Sequence, residues 1–337
     1  MTENRIEGKS PLLSFDHFSL RFAGPEGVSH VLDDISLDIM PGEILGLVGE
    51  SGCGKSVLAR SVLRLLPSPP ALPSGRILFR GEDLLTLSSR RMRSVRGGEI
   101  SMIFQEPMTS LNPVFTVGAQ MTEVLRLHRG LSRKEARRLA ADMLRRVRMP
   151  DPEATLNKYP HELSGGMRQR VMIAMELSCD PVLLMADEPT TALDVTVQGQ
   201  VLALLAELTR EQHASTLFIT HDMGVVAQLC ERVAVMYAGT LVELAPADEL
   251  FRRPLHPYTR GLIAAIPRLE GSTDKALPHI PGNVPDLRTP PTGCRFHPRC
   301  THSTEICRTQ KPEMRSFGSR GAACHHLDAG TEGTRHD

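Results

Sequence analysis

The sequence predicts an α/β fold built on a parallel sheet with helices on both faces, and three observations carry that expectation. Three short apolar runs, 44–48, 182–186 and 216–219, each end in polar or glycine residues, as strands of a doubly covered parallel sheet do at their C-terminal ends. A glycine-rich segment directly follows the first run and opens an apolar helical stretch at 57–66. Between the first and second runs lies a long segment with helical rather than strand periodicity.

The elements follow in order. Phe18, Leu20 and Phe22 alternate with polar residues, as do Ile35, Leu37 and Ile39 around Ser36 and Asp38, which reads as an N-terminal antiparallel β subdomain. Residues 100–104 form another apolar strand. The stretch 132–149 is a helix with a capping box, Ser132 to Glu135, and an apolar face of Ala136, Leu139, Ala140, Met143, Leu144 and Val147. Residues 233–244, with Ala238-Gly239 at the centre, read as a hairpin that closes the core. After about residue 254 proline becomes dense (Pro254, Pro257, Pro267, Pro278, Pro281, Pro285, Pro290, Pro291), marking a loop-rich extension. The expected division is a core of 1–105 and 176–254, a helical insertion of 106–175, and a C-terminal extension of 255–337.

Bulk properties narrow the function classes. Lys+Arg and Asp+Glu both number 39 in 337 residues, so global charge gives no reason to invoke nucleic acid. The arginine-rich stretch 126–148 lacks stacking aromatics and alternates with an apolar stripe, so it reads first as a solvated helix face, and second as a contact for membrane subunits or anionic lipid. No apolar run approaches the roughly 18 residues that span a bilayer, and the N-terminus is polar without a signal-peptide apolar region. A cytoplasmic protein is expected.

The chemistry begins at Gly49-Glu50-Ser51-Gly52-Cys53-Gly54-Lys55-Ser56, which matches G-x-x-x-x-G-K-[ST] between a strand and a helix beginning near Val57. Backbone N–H groups and the helix N-terminus bind the β-phosphate, Lys55 neutralises β/γ charge, and the Ser56 hydroxyl ligates Mg²⁺. Asp187 ends an apolar strand, where a carboxylate suits Mg²⁺, and the adjacent Glu188 is a candidate to orient or deprotonate attacking water. His221 ends the strand at 216–219 in Thr220-His221-Asp222 and is a candidate γ-phosphate contact. Gln105 follows the strand at 100–104 and is a candidate sensor of Mg²⁺ or water. Leu163-Ser164-Gly165-Gly166-Met167 is a second phosphate-seeking helix start: Ser164 is a candidate N-cap, and two glycines let backbone N–H groups approach an anion. Two such starts in one chain bind two anions, or one nucleotide from two molecules; the second reading predicts a dimerising ATPase.

In this order the loop at 49–56, Gln105, 163–167, Asp187-Glu188, Asp194 and His221 resemble the Walker A, Q-loop, signature, Walker B, D-loop and switch histidine of an ABC-transporter ATPase, over about residues 12–245. The resemblance implies a P-loop NTPase (ABC ATPase) core. It also implies ATP and Mg²⁺, with Ser56, Gln105 and Asp187 on the metal, and Ser164, Gly165, Gly166 and Asp194 acting in trans. An aromatic is expected on the adenine; Phe22 is the candidate, and a core strand phenylalanine is the alternative. The stretches 105–113, 167–174, 256–259 and 293–300 are similar to the dipeptide/oligopeptide/nickel importer subfamily, including its Met167 where the general signature has Gln. Cys53 stands where Ser is frequent, which a loop binding through backbone N–H groups tolerates.

Of seven cysteines, Cys294, Cys300, Cys307 and Cys324 are spaced C-x₅-C-x₆-C-x₁₆-C in the extension. Such a set reads as metal-binding in a reducing compartment, suiting tetrahedral zinc or an iron–sulfur cluster. The subfamily resemblance implies [4Fe–4S], while His297, His302, His325 and His326 keep zinc as one alternative and free thiols are the other. The resemblance further implies a peripheral subunit at the cytoplasmic face of the membrane that powers import of di- or oligopeptides, or of nickel or another small solute. Its expected partners are a second ATPase (a paralogue favoured over an identical copy), two integral membrane permease subunits and, indirectly, an extracytoplasmic solute-binding protein. The rivals are a soluble ABC ATPase acting on nucleic acid or ribosomes, and a metal-sensing regulator on an ATPase scaffold.

Overall fold

The computed structural model describes residues 10–105, 110–190, 194–266 and 279–327. In chain order the first elements are β1 (Leu13–Gly24), β2 (Gly27–Ile39), β3 (Ile44–Val48), α1 (Lys55–Val62), β4 (Ala71–Phe79), β5 (Glu82–Asp83), α2 (Ser89–Val95) and β6 (Ile100–Ile103). The helical stretch holds α3 (Val117–Arg129), α4 (Arg133–Arg146), α5 (Pro152–Thr155) and α6 (Gly165–Leu177). Then come β7 (Leu183–Asp187), α7 (Val195–Glu211), β8 (Ser215–Ile219), α8 (Met223–Leu229), β9 (Arg232–Tyr237) and β10 (Thr240–Pro246). The extension contributes α9 (Ala247–Arg252), α10 (Pro257–Ala264), α11 (Glu305–Thr309), β11 (Arg315–Phe317) and β12 (Arg320–Ala322). No helix among the described residues is long and apolar enough to cross a membrane.

The chain forms two compact units. The first comprises Met1–Leu12, Ile39–Glu43 and Phe79–Ile219. Its sheet is β6-β7-β8, parallel throughout, with Ile100 opposite Leu183 and Asp187 opposite Ile219. Every residue of the three strands is buried, the pattern of a sheet covered on both faces, which is why these strands read as unbroken apolar runs. Helix α4 starts at the expected capping box: Ser132 Oγ accepts from Glu135 N, and the Glu135 carboxylate accepts from Ser132 N. Ala136, Ala140, Met143 and Leu144 are buried along it, and it ends before Arg148, which has a left-handed φ of 59°. The arginines on its other face are paired within the unit: Arg145 with Asp142 and Glu153, Arg146 with Glu211, Arg148 with Glu207. Exposed pairs of this kind contribute roughly 0–1 kcal/mol each. They account for the charge run as a solvated face.

The second unit comprises Leu13–Asp38, Ile44–Leu78 and Thr220–Asp337. Its N-terminal strands lie in the order β2-β1-β4. Ser36 accepts from the His17 N–H and Ser19 from the Asp34 N–H, the register of an antiparallel hairpin. Strand β3 runs parallel to β9, which turns antiparallel into β10 through Ala238 and Gly239, both at positive φ, as the expected hairpin requires. The extension is more regular than its proline density suggests. Its β12 pairs antiparallel with β10, and β11 with β12, so it lengthens the sheet at an edge.

One half-buried carboxyl in the first unit has a consequence for stability. Glu176 lies on α6 beside β6, and burial pushes its carboxyl from the usual 4.5 up to about 7, with the Met102 backbone opposing the rise. The fold therefore keeps this proton up to about pH 7, whereas the unfolded chain releases it near 4.5. The stability from the neutral form is complete below 4.5, declines as pH rises between 4.5 and 7, and is gone above 7, a span of at most about 3 kcal/mol. Glu176→Gln is expected to raise the thermal midpoint by several degrees at pH 8 and to leave it nearly unchanged at pH 5. Equal shifts at both pH values would contradict the assignment.

Candidate nucleotide site

In the second unit, β3 delivers the chain into the glycine-rich loop, and the backbone there is tightly confined. Gly49 has φ 153°, and a Cβ on it would lie 2.2 Å from the Met236 carbonyl oxygen on β9. Gly54, with φ 103°, is the N-cap of α1, so the first-turn N–H groups of that helix open into the loop. Lys55 is 5% exposed and folds back along the loop, donating to Gly49 O at 2.7 Å and Glu50 O at 3.0 Å. Ser51 and Gly52 are exposed, Ser56 and Val57 half-buried, and Cys53 buried. Burial pushes the Cys53 thiol up, with Lys55 opposing the rise, so it is a neutral packing group rather than a thiolate.

His221 is exposed in the turn between β8 and α8, and its neighbours build that turn. Asp222 caps α8, accepting from Gly224 N at 2.9 Å and Val225 N at 3.2 Å, while its own N–H donates to Thr220 Oγ1 at 3.0 Å. Phe22, near the end of β1, is half-buried, unlike the fully buried Phe15 and Phe18. It lines an open pocket with residues 23–27, Ser29 and Arg288.

The first unit carries the remaining residues. Asp187 closes β7 with no solvent exposure. Glu188 follows at φ 45°, its N–H bonded to Ile219 O at 3.0 Å. The structure brings Gln105 and Glu188 together across 83 residues of sequence: Gln105 Nε2 donates to Glu188 Oε2 at 3.1 Å. Residues 106–109 of the motif that follows Gln105 lie outside the described residues. Ser164 is the N-cap of α6, accepting from Met167 N at 3.3 Å, and Ser164 and Gly165 are exposed. Gly166 sits against α7, where a Cβ would meet Val197 Cγ1 at 2.9 Å. Asp194 is exposed and caps α7 through Val197 N at 3.0 Å.

The four cysteines of the extension belong to the second unit. Cys294 N donates to Cys307 O at 2.8 Å, and Cys307 Sγ lies 3.3 Å from His326 Nε2. Burial pushes the Cys294 thiol up to about 11 and raises those of Cys300 and Cys324, and the neighbouring thiols add to each rise. Among the described residues, no group of three or more His, Cys, Asp or Glu side chains is disposed to hold a metal ion. Cys307 faces His326 and Thr304.

With this geometry in view, comparison with known proteins is decisive. Residues 32–191 match the ABC transporter family, and residues 242–307 match the oligopeptide/dipeptide transporter C-terminal region. A probable peptide ABC transporter ATP-binding protein of Sinorhizobium fredii is 52% identical over 93% of this chain and 94% of its own. This chain belongs to the ATP-binding proteins of the ABC transporters. Two further relatives come from Bacillus subtilis. The dipeptide transport ATP-binding protein DppD is 48% identical over 88% of each chain. The oligopeptide transport ATP-binding protein OppD is 49% identical over 92% of this chain and 85% of its own. Among solved structures, a dimeric post-hydrolysis ATP-binding cassette bound to ADP and Pi is similar with TM-score 0.62 and 26% identity, over 70% of this chain and 98% of that one. As an ABC ATPase the chain hydrolyses ATP, with Mg²⁺ as the metal expected for that reaction.

Glu50 occupies a variable position of the loop pattern and so carries no motif signal of its own. A charge in an otherwise small and polar loop is the signal that marks it. The close approach at Gly49 generates a test. Gly49→Ala is expected to cost about 1–3 kcal/mol, because the opposing atom is backbone and cannot swing away. It is also expected to weaken binding of a fluorescent ATP analogue by an order of magnitude or more. Unchanged thermal midpoint and affinity would contradict the packing of the loop against β9.

Proposed function

We propose that this ABC ATPase is the energy-supplying subunit of an importer for di- or oligopeptides, peripheral at the cytoplasmic face of the membrane. The observation that carries the reading is the match of residues 242–307 to the oligopeptide/dipeptide transporter C-terminal region, joined to nearly full-length relatives named for peptide transport. Those names favour peptides over nickel as the solute. The proposed partners are a second ATPase, two membrane permease subunits and an extracytoplasmic solute-binding protein. Exposed Val114, Phe115 and Leu127 in the helical stretch offer apolar surface for the permeases. The working division is a core of 1–105 and 176–254, an insertion of 106–175 and an extension of 255–337.

In this reading each residue has a task. The N–H groups of 52–57 bind the phosphates, Lys55 leaves the Gly49 and Glu50 carbonyls to meet them, and Phe22 stacks on the adenine. Ser56, Gln105 and Asp187 would hold Mg²⁺, which supplies charge neutralisation between the β- and γ-phosphates. Glu188 accepts the proton of the attacking water. Gln105, donating to Glu188 Oε2, keeps that carboxylate oriented until nucleotide arrives. His221 contacts the γ-phosphate. Exposed Ser164 and Gly165, with Gly166 and Asp194, are lent to the nucleotide of the partner ATPase, so hydrolysis requires a closed pair. The solved dimeric cassette with ADP and Pi supports such a pairing.

The finer cofactor reading is a [4Fe–4S] cluster on Cys294, Cys300, Cys307 and Cys324. What supports it is the donor set, four cysteines in one extension with Cys294 N donating to Cys307 O. No step of ATP hydrolysis is routed through it. Anaerobically purified protein is expected to show a broad absorbance band near 400 nm with roughly four irons per chain. A colourless, iron-free chain with intact fold would remove the cluster.

Glu188→Gln is expected to retain ATP binding, to lower turnover by about 10²-fold or more, and to accumulate an ATP-dependent dimer in sedimentation velocity. Wild-type turnover would remove Glu188 from the base role. Reconstitution with the permeases and binding protein, asking which solute stimulates ATPase activity, tests the peptide assignment; stimulation by nickel alone would overturn it.

A further inference from the structure

The extension does more than follow the core: within the second unit its side chains hold the phosphate-binding loop from two directions. Arg299, between His297-Pro298 and Cys300, has a side chain only 5% exposed. Its guanidinium grips Glu50 with both nitrogens, at 2.7 Å to Oε2 and 3.0 Å to Oε1. The rest of the fork is committed as well, to Pro281 O at 2.8 Å and Ile280 O at 3.2 Å, and the group lies over the Tyr237 ring. Tyr258 of α10 completes the hold on the same residue: its hydroxyl accepts from the Glu50 backbone N–H at 2.9 Å. The Tyr258 ring packs on Tyr237 and Phe296, which fixes that hydroxyl.

The second direction runs through a turn. Arg295, buried and next to Cys294, donates to Ala238 O and to His30 O and pairs with Asp33 at 3.3 Å. It thereby clamps the β9–β10 turn, whose Gly239 N–H donates to Cys53 O at 2.9 Å in the middle of the loop. Each arginine is adjacent to one of the clustered cysteines, so a single segment, 294–300, anchors both the start and the middle of the loop.

We infer that Arg299 and Tyr258, acting through Glu50, are positioning residues of the phosphate-binding loop, so that the extension sets the affinity for ATP. The Arg299 guanidinium is buried and the Glu50 carboxylate half-buried; a bidentate pair so placed holds its geometry only when both partners are present, and losing either leaves a poorly compensated charge and a loop free to shift. Backbone N–H groups bind phosphate well only when pre-aligned, so a shifted loop loses ground-state affinity. The catalytic groups of the other unit are untouched. The effect therefore belongs in KM for ATP rather than in kcat.

This inference rests on residues 49–56 binding ATP, which titration of the wild-type chain with a fluorescent ATP analogue tests by itself. The decisive experiment compares Glu50→Gln, Arg299→Gln and the double variant in the full chain, by analogue titration and steady-state hydrolysis. Each single variant is expected to raise Kd and KM about tenfold, equivalent to about 1.4 kcal/mol, with kcat changed less than threefold. The double variant is expected to be no weaker than either single one, because both remove the same pair. Tyr258→Phe, which loses only the hydroxyl, is expected to raise Kd about threefold. Glu50→Gln reaches the pair from the loop side and leaves the cysteine segment intact, so it decides the matter even if Arg299→Gln fails to fold. Wild-type affinity in Glu50→Gln, or losses that multiply in the double variant, would overturn the inference.

Discussion

The nucleotide chemistry of this chain depends on one constraint: a short loop of small residues must hold its backbone N–H groups in a fixed array before any phosphate arrives. Such a loop has little side-chain packing of its own, so its shape is imposed by neighbours. Here they are the Met236 carbonyl against Gly49, the Lys55 ammonium across the Gly49 and Glu50 carbonyls, and the Tyr258 hydroxyl with the Arg299 guanidinium on Glu50. Lys55 matters doubly, because a buried ammonium without an anion needs acceptors, and the loop supplies them from its own backbone. A bound phosphate competes for that same charge.

The residues of the proposed site fall in both compact units. The loop, Phe22 and His221 belong to one compact unit, while Gln105, Asp187, Glu188, the Ser164 helix start and Asp194 belong to the other. Within the latter, strand-end carboxylates emerge from a fully buried parallel sheet, and the Glu188 carboxylate accepts from the amide of Gln105. Ser164, Gly165 and Asp194 stay exposed at helix starts, where free N–H groups and a positive helix end suit an anion. An exposed anion-seeking start fits a site completed by another molecule.

Much of this was legible in the chain because it rests on local rules. Buried parallel strands must be apolar throughout, so 44–48, 182–186 and 216–219 announce themselves, and the Ser132–Glu135 box and Ser164 cap follow from unsatisfied helix N–H groups. The Ala238-Gly239 hairpin follows from the left-handed backbone its turn needs. What escaped is non-local. Arg299 and Glu50 are 249 positions apart, and nothing in either neighbourhood states the pairing. The extension was read as loops because proline density masks the short β11 and β12, of which β12 pairs with β10 and β11 with β12. Phe22 alternates like a core residue, yet it sits near a strand end where the sheet stops covering it. The cysteines announced a cluster by spacing, but spacing does not say whether donors converge on one ion.

Amide hydrogen exchange resolved across residues 49–56 of the nucleotide-free, full-length chain is the most direct test of the claim that the loop is pre-set by its neighbours. The account predicts marked protection at the Glu50 and Cys53 N–H groups, which donate to Tyr258 Oη and Glu50 O, and its loss at Glu50 in the Glu50→Gln variant. Exchange at the rate of an unstructured peptide in the wild-type chain would contradict it.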